Sequence, residues 1–301
     1  MNESVVFALK RPNEILPREL FVQENLGGHL RLNQSQLPLD VFPFCHDFAL
    51  SDRHAVFFIN SIVFGSIVGF LRGTQTLAQD MHFDNEAPMR IIVVDLETLE
   101  PVREFEAAAG AIIHFGNAFE DGSEVVIDTM YTDNFDAKDV LGDVFNPAGR
   151  FGGGTYLRYR LDLANGTMRY AQVSDIESEF PTFNPAVTGQ RHAVTYTACS
   201  VDNGANSFFN GIQRVAFDGN AEVLTLPPGL YGSEPVFAPA ADTADEDDGY
   251  LLEVVYDAHR HRSELQVFRA QSLQDRVCSL RLRHHLPHQF HGHFTRQVFA
   301  S

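Results

Sequence analysis

Short runs that are apolar throughout, or that alternate apolar and polar residues, recur along the chain between clusters of turn-forming residues. That pattern predicts strands rather than helices. The expected strands are 54–59, 90–96, 111–115, 124–132, 155–163, 167–173, 192–199, 211–217, 221–226, 234–239, 250–256, 264–269, 277–282 and 291–298. Leu157-Arg158-Tyr159-Arg160-Leu161-Asp162-Leu163 alternates as a half-exposed strand does. Asn165-Gly166 and Asp218-Gly219 supply the positive φ angles that tight hairpins need. Helical periodicity is weak and confined to 19–26 and 68–79. Many short antiparallel strands predict an all-β sandwich, barrel or propeller, and no strict repeat chooses among them.

Composition narrows the field. Hydrophobic residues make up 44% of the 301, enough for a sizeable core, and there are 26 Phe and no Trp. Phenylalanine brings apolar area with no polar atom to satisfy, which suits a dense core or a greasy channel equally. The net charge of −18 argues against nucleic acid and against simple adhesion to anionic lipid. Cys45, Cys199 and Cys278 are scattered and form no CxxC pair, which reads as a reducing compartment without a disulfide framework. The first twenty residues lack the layout of a signal peptide, so the expected location is cytoplasmic. From Ala55 to Leu71 there are seventeen residues without a charge. That is short for a membrane span and reads as a buried strand followed by an apolar loop or short helix. The acidic stretch 242–249 fits a calcium loop poorly and reads as a solvated loop.

Thirteen histidines are present, and three stand in unusual settings. His46 lies in FPFCHDFALSDRHAVFF, His114 in GAIIHFGNAFEDG and His291 in HQFHGHF. A polar ring within an apolar stretch must find a partner or cost a few kcal/mol, on the order of an unmade buried hydrogen bond. A metal at a shared centre is one solution, and a satisfied buried histidine is the plainer one. Glu179 in ESEFPTFNP and Glu234 in YGSEPVFAP precede apolar or proline-rich strand starts. Each could accept the second ring N–H of a metal-bound histidine, or simply face solvent. His293 would share a strand face with His291, so spacing alone does not separate the two. His259 and His261 lie among arginines and read as an exposed loop. No GxGxxG or GxxxxGK[ST] loop is present, and Gly152-Gly153-Gly154 reads as a turn.

Seven segments, in order, carry a family resemblance: His46-Asp47-Phe48; His114-Phe115-Gly116-Asn117-Ala118-Phe119-Glu120; Gly154-Thr155-Tyr156-Leu157-Arg158-Tyr159-Arg160-Leu161-Asp162; Glu179-Phe180-Pro181 with Asn184-Pro185; Gly232-Ser233-Glu234-Pro235-Val236-Phe237; Asp247-Asp248-Gly249-Tyr250-Leu251-Leu252; and Phe290-His291-Gly292. The chain resembles the carotenoid cleavage oxygenases, a family that includes carotenoid, apocarotenoid and stilbene-cleaving enzymes and the animal retinoid isomerase. The resemblance implies a seven-bladed β-propeller with Fe(II) on its axis, His46, His114 and His291 as iron ligands, and Glu179 and Glu234 as carboxylates behind ligand histidines. It implies one domain over 1–301. The family's first histidine sits in a Thr-Ala-His-Pro-like segment, and nothing between Met1 and Phe44 matches it. His29 is the only histidine there, in different surroundings. The expectation is therefore a propeller lacking its front part, with roughly five blades.

The function so implied is an Fe(II)-dependent dioxygenase that cleaves a conjugated C=C bond of a hydrophobic polyene with O2, giving two carbonyl products. Nothing beyond the metal site need act as general acid or base. The apolar stretch from Ile62 to Leu71 corresponds to the family's segment near the tunnel mouth, and peripheral membrane contact there is the expectation, against a buried loop as the bland alternative. The rival function is a truncated remnant or apocarotenoid-binding propeller without turnover. A cation-dependent lactonase-like propeller would need carboxylate ligands where this chain has histidines.

Overall fold

The computed structural model describes residues 3–7, 21–26, 29–31, 37, 39, 43–65, 67–135, 153–201, 208–240 and 245–296. In chain order, β1 (Glu3–Phe7), β2 (Phe21–Leu26) and β3 (His29–Arg31) form an antiparallel sheet. Next come β4 (Ala49–Leu50), β5 (His54–Ile59), β6 (Ile62–Phe64), α1 (Ile67–Leu71), α2 (Leu77–Asp80), β7 (Met81–Phe83), β8 (Met89–Asp95) and β9 (Pro101–Ala107). β10 (Ala111–Asp121), β11 (Glu124–Thr132), β12 (Gly154–Asp162), β13 (Thr167–Thr182), β14 (Val194–Ser200), β15 (Gly211–Ala216) and β16 (Ala221–Thr225) follow. The last are β17 (Leu230–Tyr231), β18 (Val236–Pro239), β19 (Gly249–Asp257), β20 (Arg262–Arg269) and β21 (Ser272–Arg281).

The strands make blade-sized antiparallel units. β4-β5-β8-β9 is one sheet, and β17 and β18 join β19-β20-β21 in another. Between them in sequence, β10 to β16 form one seven-stranded sheet, two units joined through the sixteen-residue β13. The first half of β13 pairs with β12 and its last residues pair with β14.

Burial explains the apolar runs. β5 is buried at every position because both faces are covered. Val56 and Phe58 pack with Ile127, Tyr159 and Leu161 of the next sheet, while Ala55, Phe57 and Ile59 pack with Leu39, Ile92 and Leu99. A third core of Tyr196, Ile212, Phe237, Leu251 and Phe268 joins β14–β15 to β18–β20. Gly166 at φ 68° and Gly219 at φ 92° occupy the two expected hairpin turns.

Several expectations change. Residues 21–26 form strand β2, paired with β1, rather than a helix; a backbone partner along the whole segment outweighs weak helical spacing. The helix expected over 68–79 is two short helices interrupted by Gly73 at φ 68°. β9 was not expected, because four of its first five positions face water and read as polar. Residues 291–296 are not a strand; the Gly292 N–H is taken by the Glu234 carboxylate at 2.6 Å instead of a ladder partner. Positions 297–298, and 242–244 of the acidic stretch, lie outside the described residues.

Candidate metal centre

Three separate pieces of backbone deliver the three histidines. His46 stands in the loop before β4. The neighbouring Asp47 accepts the Phe48 N–H at 2.8 Å and the Phe115 N–H at 3.2 Å, which ties this loop to β10. Burial pushes the Asp47 carboxyl above its ordinary range against those two amides. His114 lies in β10 inside the first of two shifts of the β10–β11 register, the one between Ile112 and Phe115; the second runs from Phe115 to Ala118. Such bulges re-aim side chains that a regular ladder would send elsewhere. His291 comes from the irregular segment after β21.

Two carboxylates stand behind these rings. Glu179 meets His114 Nδ1 at 2.7 Å, and the same oxygen accepts the Phe180 N–H at 2.8 Å. Here too the backbone is irregular. The β13–β14 register shifts after Glu179, and Phe180 adopts φ 53°, a left-handed angle rare for a bulky residue. Glu234 meets His291 Nδ1 at 3.2 Å and takes the Gly292 N–H on its other oxygen.

The rings converge. One ligand atom from each of His46, His114 and His291 lies within 4.8 Å of the others. Ring centroids are 5.2 Å apart for His46–His114, 5.0 Å for His114–His291 and 6.0 Å for His46–His291. His114 Nε2 is buried without a hydrogen-bond partner. An orphaned imidazole nitrogen aimed at two others, with its far side held by a carboxylate, fits a transition-metal ion of the borderline kind that imidazole favours. His293 is not in this group among the described residues.

Electrostatics treat the two rings differently. His46 is partly open to water; the partial desolvation it does have, with His114 and His291 nearby, lowers its pKa and favours the neutral ring a metal needs. Burial also pulls His114 down, but the hydrogen bond and charge of Glu179, aided by Asp47 and Glu234, outweigh it and leave its pKa raised. A cavity of about 390 Å³ opens on the three rings, and Phe115, Phe180 and Pro181 form its apolar wall. The Phe180 ring lies 5.0 Å from His114 and 5.9 Å from His291.

All five residues singled out in the sequence thus meet at one place. Sequence reasoning did not assign roles to Asp47 and Phe180, although both sit next to singled-out residues. Elsewhere, the buried His192 contacts Asp128 at 2.9 Å in a knot with Tyr156 and Arg158 and takes no part in the centre. A larger hollow of about 540 Å³ over β19–β21 is lined by side chains such as Arg260 and Glu264 that pair with neighbours, and it gathers no histidines.

Comparison with known proteins follows the same lines. The family model described as retinal pigment epithelial membrane protein matches residues 3–296. The apocarotenoid-15,15'-oxygenase of Synechocystis is 28% identical over 254 residues, covering 83% of this chain and 51% of that protein. A carotenoid 9,10(9',10')-cleavage dioxygenase of Crocus sativus is 28% identical over 269 residues, covering 84% and 48%. The chain spans about half the length of these curated relatives. Among solved structures, an ACO/RPE65 chimera superposes with a TM-score of 0.80 at 26% identity, covering 92% of this chain and 58% of the other. A cobalt-substituted Synechocystis ACO gives 0.79 at 26%, covering 91% and 57%. The blade-sized sheets are accordingly part of a β-propeller of this type.

Proposed function

This chain belongs to the retinal pigment epithelial membrane protein family, the carotenoid cleavage oxygenases, and from that premise we propose that it is an Fe(II)-dependent dioxygenase cleaving a conjugated C=C bond of a carotenoid or apocarotenoid to give two carbonyl products. The observation that carries the reading is the convergence of His46, His114 and His291 with Glu179 and Glu234 behind two of them. The named activities of the relatives and the cobalt in a structural neighbour point the same way. Bound there, Fe(II) would supply the redox chemistry that addition of O2 to an alkene requires.

The protein's own part is binding and orientation. Glu179 and Glu234 hold the Nδ1 protons of His114 and His291, so each ring turns its Nε2 lone pair to the centre. Phe115, Phe180 and Pro181 offer an apolar bed for an uncharged polyene and keep water from it. We read the chain as one propeller domain in the cytoplasm, with no nucleic-acid partner. Val63, Val68, Phe70 and Leu71 are exposed apolar side chains at 40%, 47%, 46% and 67%. They form the candidate contact with a membrane surface that stores such a substrate. Among the described residues, no helix is long and apolar enough to cross a membrane.

A second reading, binding of apocarotenoid without turnover, is favoured by the exposure of His46 and His291. The test is incubation with an apocarotenoid in detergent with added Fe(II), with chromatography of the products. Paired carbonyl fragments, lost when His46, His114 and His291 are all changed to alanine, are expected. Polyene bound without fragments supports the second reading, and full iron retention by the triple variant refutes the ligand assignment.

A further inference from the structure

The segment from Leu282 to Arg296 has no helix or strand, yet it carries His291. A ligand on such a segment has no ladder to hold it, so its place depends on discrete anchors. At one end, the Leu282 N–H donates to the Ser263 carbonyl at 3.0 Å and the Leu286 N–H to Ser263 Oγ at 2.8 Å. At the other, Arg296 donates to the Pro239 and Ala240 carbonyls at 2.8 and 2.7 Å. Between these anchors, three residues before His291, stands His288.

His288 is held by rings, where the anchors above are hydrogen bonds. Its ring stacks on Phe208 with centroids 4.0 Å apart and planes 10° apart. Tyr231 at 6.4 Å and Tyr256 at 5.7 Å meet it edge to face. Among the described residues no hydrogen bond orients the ring, so shape and stacking do. The rest of the ring is open to water, and packing against these aromatic rings lowers its pKa. The box also reaches the centre: Phe209, next to Phe208, is buried and lies edge-on to Phe180 at 5.8 Å, and Phe180 forms the wall beside His114 and His291.

We propose that His288 is a positioning residue: clamped by Phe208, Tyr231 and Tyr256, it pins the strand-free segment and so sets the place of His291. The role rests on the metal-binding reading of the three-histidine centre. It requires the ring's shape rather than its protons, so phenylalanine should substitute for it and alanine should not.

The experiment compares full-length wild type, His288→Ala, His288→Phe and a His114→Ala control. Amide hydrogen exchange is read in peptides covering 286–294 of the metal-free proteins, together with thermal unfolding and Co²⁺ titration. Expected for His288→Ala are faster exchange at the Gly292 N–H and a cobalt dissociation constant about tenfold higher, the lower end for losing a residue that orients a ligand. The unfolding temperature should stay near that of wild type, and His288→Phe should restore both exchange and affinity. The proposal is overturned if His288→Ala matches wild type in exchange or in affinity, or if His288→Phe behaves like alanine. Equal cobalt uptake by wild type and His114→Ala would sink the metal reading and the role built on it, while the exchange arm still reports separately whether His288 holds the segment.

Discussion

His114 and Glu179 belong to the ladders of β10 and β13 and meet at 2.7 Å, with side chains only 13% and 16% exposed. His291 and Glu234 pair the same two side chains at 3.2 Å, but the His291 ring is 52% exposed and leaves an irregular segment. One pair is framed by a seven-stranded sheet on either side of the link, and the other by a few anchors. The chemistry of a ligand pair is thus separable from its rigidity. A buried charge-assisted hydrogen bond in a ladder is pre-organised, whereas one at an exposed strap shares its partner with water.

The largest expected effect tests whether the Glu234 side can be loosened alone. Glu253 is fully buried, finds no hydrogen-bond partner among the described residues, and sits where a Cβ on Gly232 would collide with it. Burial raises its pKa from 4.5 to about 8. The folded state therefore favours the protonated form. The stability this contributes is present below about pH 4.5 and is lost as pH rises through about 8. Full ionisation should cost on the order of 5 kcal/mol, at about 1.4 kcal/mol per unit. Denaturant unfolding between about pH 4 and 9 should show the fall, and Glu253→Gln should flatten it. Exchange near Gly232 and Gly292 should quicken over that range while β10 and β13 stay protected; equal loosening of both pairs would erase the contrast.

Removing each carboxylate's charge comes next. Glu179→Gln should weaken cobalt or iron binding roughly a hundredfold and Glu234→Gln about tenfold, the two ends of the usual range for groups that orient a ligand. Equal losses by metal titration would show that the frame does not matter. Gly232→Ala forces a methyl against Glu253 and should destabilise by about 1–3 kcal/mol, as overpacking does, with the Glu234 side opening first in exchange. The smallest effect belongs to Arg296→Ala, which removes two exposed hydrogen bonds to carbonyls. It should change metal affinity by less than about threefold, in line with exposed polar contacts worth under 1 kcal/mol.

Much of the fold was legible beforehand. β5 and β11 match the expected bounds to the residue, because apolar runs closed by turn residues leave little freedom. The sequence marks only the first half of β13, since its remainder changes partner, and a change of partner leaves no mark on periodicity. β9 escaped for a related reason: an edge strand with polar, exposed positions looks like a loop. At the centre, histidines in apolar surroundings were visible as anomalies, but their meeting was not. Phe180 at φ 53° is a further case, because nothing in its side chain announces a left-handed backbone.

What the sequence by itself determined is the strand content, the hairpin turns and the identity of the five polar side chains that sit uneasily where they stand. These follow from local preferences, which act over a few residues. Only the tertiary structure decided that His46, His114 and His291 share one centre, that bulges in β10 and β13 face His114 toward Glu179, and that an aromatic box holds the segment bearing His291. Those depend on packing between segments scores of residues apart, and burial across such distances is settled by the whole core at once.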